Sequence, residues 1–189
     1  MGADAIADDA VIAATRRWIE RAVIGLNLCP FARAPFAAKR LHFRVSHARD
    51  RNALLADLRD ELQALHAADP SIRETTLLIH PDMLGDFLDY NDFLDSADAA
   101  VRELDLEGEL QIASFHPHYR FADAPADAIE NCTNRSPYPT LHLLRESSIE
   151  RAVAAIGDPD EIYRRNVETL RRLGIEGWRA LFGGAHEAS

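Results

Sequence analysis

The alternation of strand-like and helix-like segments is what most constrains this chain. Leu41 to Ser46 alternates as a half-buried strand does, Thr75 to Ile79 is β-branched and continuously apolar, and Leu110 to Phe115 reads as a third strand. Between them apolar residues recur at helical spacing, first Leu54, Leu55, Leu58, Leu62 and Leu65, then Leu84, Phe87, Leu88, Leu94, Val101 and Leu104. A helix joining two strands of one sheet carries the chain back to the edge where the first strand began. The three strands are therefore predicted to be parallel, with right-handed crossovers. A fourth strand is predicted at Thr140 to Leu144, after a long stretch from Pro117 to Pro139 that holds four prolines. Loops of that length are usually functional or disordered, and the aromatic and polar content here predicts an ordered functional loop. The expected fold is α/β: a mostly parallel sheet of about four strands with crossover helices, a long ordered loop before the last strand and a helical C-terminal tail.

The first helix is predicted to start at Asp8 or Asp9, either of which is placed to cap it, and to end near Asn27, ahead of Pro30. The tail reads as two or three short helical pieces, with Asp158-Pro159 opening one and Gly183-Gly184 ending the last. No repeat or linker divides the chain, and 189 residues with 47% hydrophobic content suffice for one core. A single domain over 1–189 is expected, with disordered tails at 1–7 and 184–189. Two cysteines make no disulfide framework, and no basic leader precedes an apolar run, so a cytoplasmic protein is predicted. No apolar run approaches the roughly 18 residues that span a bilayer.

Acidic residues outnumber basic ones 31 to 21, a formal net charge of -10, which argues against nucleic acid and anionic membrane surfaces as partners. The charge is not spread evenly. Between Asp82 and Glu109 ten acidic residues stand against one basic residue, and the remainder is nearly neutral. A small anionic ligand therefore remains compatible with the rest of the chain. The acidic helix 84–104 is a candidate docking surface for a protein partner. Its series Asp86, Asp89, Asp92, Asp95, Asp98 turns back by roughly 60° per step and cannot converge on one ion.

Each of the first three predicted strands runs into a histidine: His47, His80 and His116, the last two followed by proline. Parallel strands would set all three on the carboxyl edge of the sheet, where open α/β folds bind ligands. His118 adds a fourth imidazole. Cys29, at the end of the first helix, would feel the negative pole of the dipole. If Pro30 opens a new turn instead, Cys29 caps it and the effect reverses. Before the last strand, Asn131, Cys132, Thr133, Asn134, Arg135 and Ser136 lead to Pro137, Tyr138 and Pro139. Two readings stay open for this run. Either it is preorganised for a polar ligand, with Arg135 as an anion anchor, or its side chains satisfy their own backbone. No nucleotide-binding, zincin, serine-hydrolase or paired C-x-x-C motif is present, so the cofactor is unassigned, with a transition metal the remaining candidate.

The stretches Val23 to Ala32, Glu74 to Ile79, Asp86 to Leu94, Gln111 to Pro117 and Asn134 to Glu146 resemble the bacterial domain-of-unknown-function family 1415, over most of the chain. The resemblance implies that Cys29, His116 and Arg135 belong to the family pattern, whereas the positions of Cys132, His118 and His47 vary. It implies no reaction. From the residues, the leading expectation is an enzyme whose site lies on the carboxyl edge, roofed by the long loop. There Cys29 would be nucleophile and His116 general acid or base, in acyl or amide chemistry on a small anionic or amide-bearing substrate. That substrate would be held by Asn134, Arg135, Ser136, Tyr138, His142 and Arg145. The alternatives are a metal site at His80 and His116 with Glu146, Cys29 or His142 as a further ligand, and a non-catalytic interaction domain.

Overall fold

The computed structural model describes residues 7–156 and 159–182. Of the expected tails at 1–7 and 184–189, only Ala7 is described; the rest, together with Asp158 and Gly183, lies outside the described residues. Helix α1 (Asp8–Trp18) continues directly into a π-helical segment, Ile19–Ile24. Its N-cap is Ala7, with no side-chain cap, so neither Asp8 nor Asp9 has that role. Asn27 takes a left-handed φ of 54°, and the Val23 carbonyl accepts from the Leu28 and Cys29 N–H groups, which ends the helix where the sequence predicts. Then follow α2 (Arg33–Ala37), β1 (Leu41–Val45), α3 (Arg51–Ala67), β2 (Thr75–Ile79), α4 (Phe87–Glu103) and β3 (Leu110–Phe115). A 3₁₀ turn at Ile129–Asn134 precedes β4 (Thr140–Arg145), α5 (Glu146–Ile156) and α6 (Pro159–Ala180), the last broken at Gly174 with φ 69°.

The strand order is β1-β2-β4-β3. β1 and β2 pair in parallel, and β4 pairs antiparallel with both β2 and β3. The sheet is therefore mixed, not mostly parallel as expected. The first three strands do run in one direction, since β4 opposes both of its neighbours. The correction lies in β4, which enters between β2 and β3. No crossover helix lies between β3 and β4, so the chain starts β4 at the edge where β3 ended and must run back against it, with Phe115 opposite Thr140.

Each face of the sheet carries its own core. On one, Leu54, Leu58, Leu62 and Leu65 of α3 and Tyr90, Phe93, Ala97 and Ala100 of α4 cover Leu78, Leu110, Leu141 and Leu143. Asp50 and Asp86 cap these helices, accepting from Ala53 N–H (2.9 Å) and Leu88 N–H (2.8 Å). On the other, Val11, Trp18, Ile19, Val23, Leu170 and Trp178 pack with Val45, Leu77 and Ile79. Alternation along β4 sends Leu141 and Leu143 to the first face, which leaves His142 on the second. Among the described residues no helix is long and apolar enough to cross a membrane.

Candidate functional site

On the second face the cover is incomplete. The connector from Cys29 to Arg40 carries only the five-residue α2, and two of its residues are prolines. Beneath it lies a cavity of about 400 Å³, within the range of small-molecule sites. Its floor is the sheet itself: Leu41 of β1, Thr75 and Leu77 of β2, Ala113 and Phe115 of β3, His142 and Leu144 of β4. Trp18, Ile19 and Val23 form one wall, Cys29 to Ala32, Ala34 and Pro35 the roof, and Ser148, Ile149, Arg151 and Ala152 of α5 the far wall. Four alanines, Ala32, Ala34, Ala113 and Ala152, stand where larger side chains would fill the space.

Few polar groups reach this apolar chamber. Thr75 Oγ1 lies 2.7 Å from the Leu143 carbonyl and 2.6 Å from His142 Nε2. A carbonyl only accepts, so the hydroxyl proton goes to Leu143 and Thr75 must accept from Nε2–H. His142 is thereby fixed as the Nε2–H tautomer, with the Nδ1 lone pair remaining. Burial pushes its pKa down to about 4, so the ring is neutral at ordinary pH. The ring is enclosed by protein yet keeps accessible surface, as a cavity wall does.

Cys29 stands on the roof. Its carbonyl accepts from Ala32 N–H at 3.2 Å, and the Phe31 and Ala32 N–H groups point at its sulfur, so Pro30 does open a new turn. Asn166, itself buried, fixes the approach by donating to the Leu28 carbonyl at 2.7 Å. Burial nevertheless outweighs those two N–H groups and pushes the thiol pKa up. At the end nearest the start of β2, Glu74 lies 3.1 Å from Arg40 and 3.9 Å from Arg151. Arg145, which also lines the cavity, donates its guanidinium to the carbonyls ending α3, at Leu65 (2.5 Å) and Ala68 (2.7 Å).

His116 is not among the cavity-lining residues, and both its ring nitrogens are engaged by backbone: Nε2 with the Leu84 carbonyl (3.0 Å), Nδ1 with His118 N–H (3.0 Å). The expected Cys29–His116 pair is therefore not brought together. The carboxyl edge is closed by Tyr90, whose hydroxyl donates to the Thr140 carbonyl (2.8 Å) and accepts from Phe115 N–H (3.1 Å). His80 and His116 flank its ring at 5.8 and 5.0 Å, both fully buried. Burial takes the His80 pKa down to about 4 and lowers that of His116. His47 leaves the group, bridging Asp8 (2.7 Å) and Asp82 (2.8 Å) at the surface. His118 is exposed.

The long loop is ordered by its own polar side chains. Asn131, fully buried, accepts from Phe121 N–H and donates to the Pro125 carbonyl; Asn134 donates to Ser114, and Ser136 to Tyr138. Arg135 donates to the Tyr119 and Ala126 carbonyls, and Cys132 is fully buried behind it. Of the two readings of this run, the self-satisfied backbone describes the hydrogen bonding. None of Asn134, Arg135, Ser136 and Tyr138 lines the cavity; of the proposed substrate-binding residues, only His142 and Arg145 do.

The metal set is not assembled either. His116 follows Phe115, opposite Thr140, whereas Glu146 follows Arg145 at the other end of β4, roughly 20 Å along a six-residue strand. Among the described residues no three His, Cys, Asp or Glu side chains gather to hold a metal ion. In the acidic helix, Asp86 caps α4, Asp89 lies 3.7 Å from Arg51, and Asp92, Asp95 and Asp98 are exposed. Sequence reasoning missed Trp18, Glu74, Thr75, Ser148 and Arg151. One signal was present: His142 is a polar residue between the buried Leu141 and Leu143 of a strand.

Comparison with curated proteins and with solved structures finds no significant match. A model of the family described as "Protein of unknown function (DUF1415)" matches residues 10–180, so the chain belongs to that family.

Proposed function

We propose that this protein binds a small, mainly apolar molecule in the cavity between the sheet, the Cys29–Pro35 connector and α5, with His142 Nδ1 accepting a hydrogen bond from the ligand. The observation that carries this reading is an apolar chamber of about 400 Å³ whose floor holds one buried imidazole with a fixed tautomer and a spare lone pair. Water fills such a chamber poorly, and a ligand offering one hydroxyl or N–H donor suits it better.

Cysteine–histidine acyl chemistry is less well supported, even with His142 in place of His116. An ordinary thiol has a pKa of about 8.5, and burial pushes Cys29 upward, while His142 sits near 4. Moving the proton from sulfur to this imidazole is uphill by more than four pKa units, ~6 kcal/mol, before any bond forms. A binding role needs no such transfer.

Trp18 lines the cavity and Trp178 does not, so intrinsic fluorescence offers a direct readout. Titration with 1-decanol, an uncharged chain bearing one hydroxyl donor, is expected to change the emission saturably. Ala113→Phe, which fills the floor, is expected to abolish the change while the protein stays folded by circular dichroism. An unsaturable response, or one that survives Ala113→Phe, would sink the proposal.

A further inference from the structure

The polar groups around this cavity are not evenly distributed. The end toward Trp18 and Phe115 is apolar, whereas at the amino edge of β1 and β2 the lining carries, among the described residues, Arg145 and Arg151 against the carboxylate of Glu74. Arg40 adds a further cation beside Glu74, at 3.1 Å. Arg145 is tied to the end of α3 through one terminal nitrogen and also feels Asp69, Glu109 and Arg73 from outside the cavity, while its buried Nε has no hydrogen-bond partner among the described residues. Arg151 differs. Its side chain is 66% exposed, it touches Glu74 only at 3.9 Å, and it donates to Ser148 Oγ at 3.0 Å. Such a weak, exposed pair exchanges readily for a better acceptor. Ser148 and Ile149, which line the same end, belong to the first turn of the eleven-residue α5, whose N–H groups have no carbonyl partner within the helix and favour an anion. His142, enclosed in the floor with Nδ1 unprotonated, marks the chamber as a ligand site and not only a packing defect.

We propose that the cavity takes an apolar monocarboxylate, an alkyl or aryl acid of about a dozen non-hydrogen atoms, its body, bearing the hydroxyl or N–H donor for His142, in the apolar part and its carboxylate at the amino edge against Arg151 and the first turn of α5. The size follows from the volume at roughly 30 Å³ per water-sized group. The class follows from the charge of the lining: among the described residues Arg145 and Arg151 stand against Glu74, and a ligand anion redresses the balance. This inference rests on the cavity being the binding site, and its test separates the two.

Decanoate and 1-decanol share a chain and differ in charge at neutral pH. Followed by Trp18 fluorescence at low salt, decanoate is expected to bind at least tenfold more tightly than 1-decanol, and added salt should weaken decanoate alone. Arg151→Met should bring the two within about threefold, while Glu74→Gln, which removes the competing carboxylate, should tighten decanoate and leave 1-decanol unchanged. If 1-decanol binds wild-type protein as tightly as decanoate, or Arg151→Met leaves the advantage of decanoate intact, the acid class falls and the cavity reading stands. If neither probe binds, both fall.

Discussion

Acidification tests the buried imidazoles quantitatively. His80 and His142 are neutral in the folded protein, with pKa values near 4, against about 6.5 in the unfolded chain. Below pH 6.5 the unfolded chain takes up a proton at each site that the folded chain refuses. The stability these groups support is therefore fully present above 6.5 and is lost as pH falls toward 4. Between pH 7 and 4.5 each should cost about 2.5 kcal/mol, and the pair about 5 kcal/mol, comparable to the whole stability of many domains. His116, also lowered by burial, adds in the same direction. His47 works oppositely: its bonds to Asp82 and Asp8 raise its pKa, so its contribution is complete below about 6.5 and disappears as pH rises through its folded value. The carboxyls of Asp69 and Glu130, whose pKa values hydrogen bonds lower, are common to all three proteins compared below and cancel in the comparison. Urea unfolding of wild type, His142→Gln and His80→Asn at pH 7.0 and 4.5 measures the effect. Gln can still donate to Thr75 and Asn to the Met83 carbonyl, yet neither titrates. Each variant should lose about 2.5 kcal/mol less than wild type over that interval. Equal losses in all three proteins would refute the claim that burial keeps these rings neutral.

Two further outcomes follow from local geometry. A Cβ on Gly25 would lie 2.3 Å from the Arg21 carbonyl oxygen, so Gly25→Ala should destabilise by about 2 kcal/mol or more, despite the usual preference for alanine in helices. A melting temperature at or above wild type would show that the π-helical turn relaxes freely. Cys29, with its thiol pKa raised by burial, should react slowly with iodoacetamide at pH 7.5 and faster as pH rises above 9, without the low-pH plateau of an activated cysteine. A thiolate titrating below 7 in the pH–rate profile would restore the nucleophile reading.

The segments that the sequence reports well are those whose signal is local. The segments Thr75 to Ile79 and Leu110 to Phe115 match β2 and β3, and the α3 leucines recur on the buried face, because periodicity depends only on which side of an element meets the core. The end of the first helix at Asn27 was likewise visible from its neighbours in the chain. The carboxyl-edge histidines show the limit. A common direction for β1, β2 and β3 is a local inference, and it is correct. What happens at that edge is not local, because Tyr90, from the middle of α4, occupies the gap between His80 and His116 and bonds β3 and β4 together.

By itself, then, the sequence determined the elements, their alternation, the family and the concentration of charge in α4. Only the tertiary structure decided where a ligand can go. The position of β4 depends on which edge of β2 stays open after β1 and the crossover helices have docked, and pattern along the chain carries no record of that. Placing β4 in the sheet puts His142 beside Thr75, 67 positions away in sequence, and the short α2 connector leaves the space above them unfilled. A cavity is a shortfall of volume between elements distant in sequence, so it appears only when those elements are brought together.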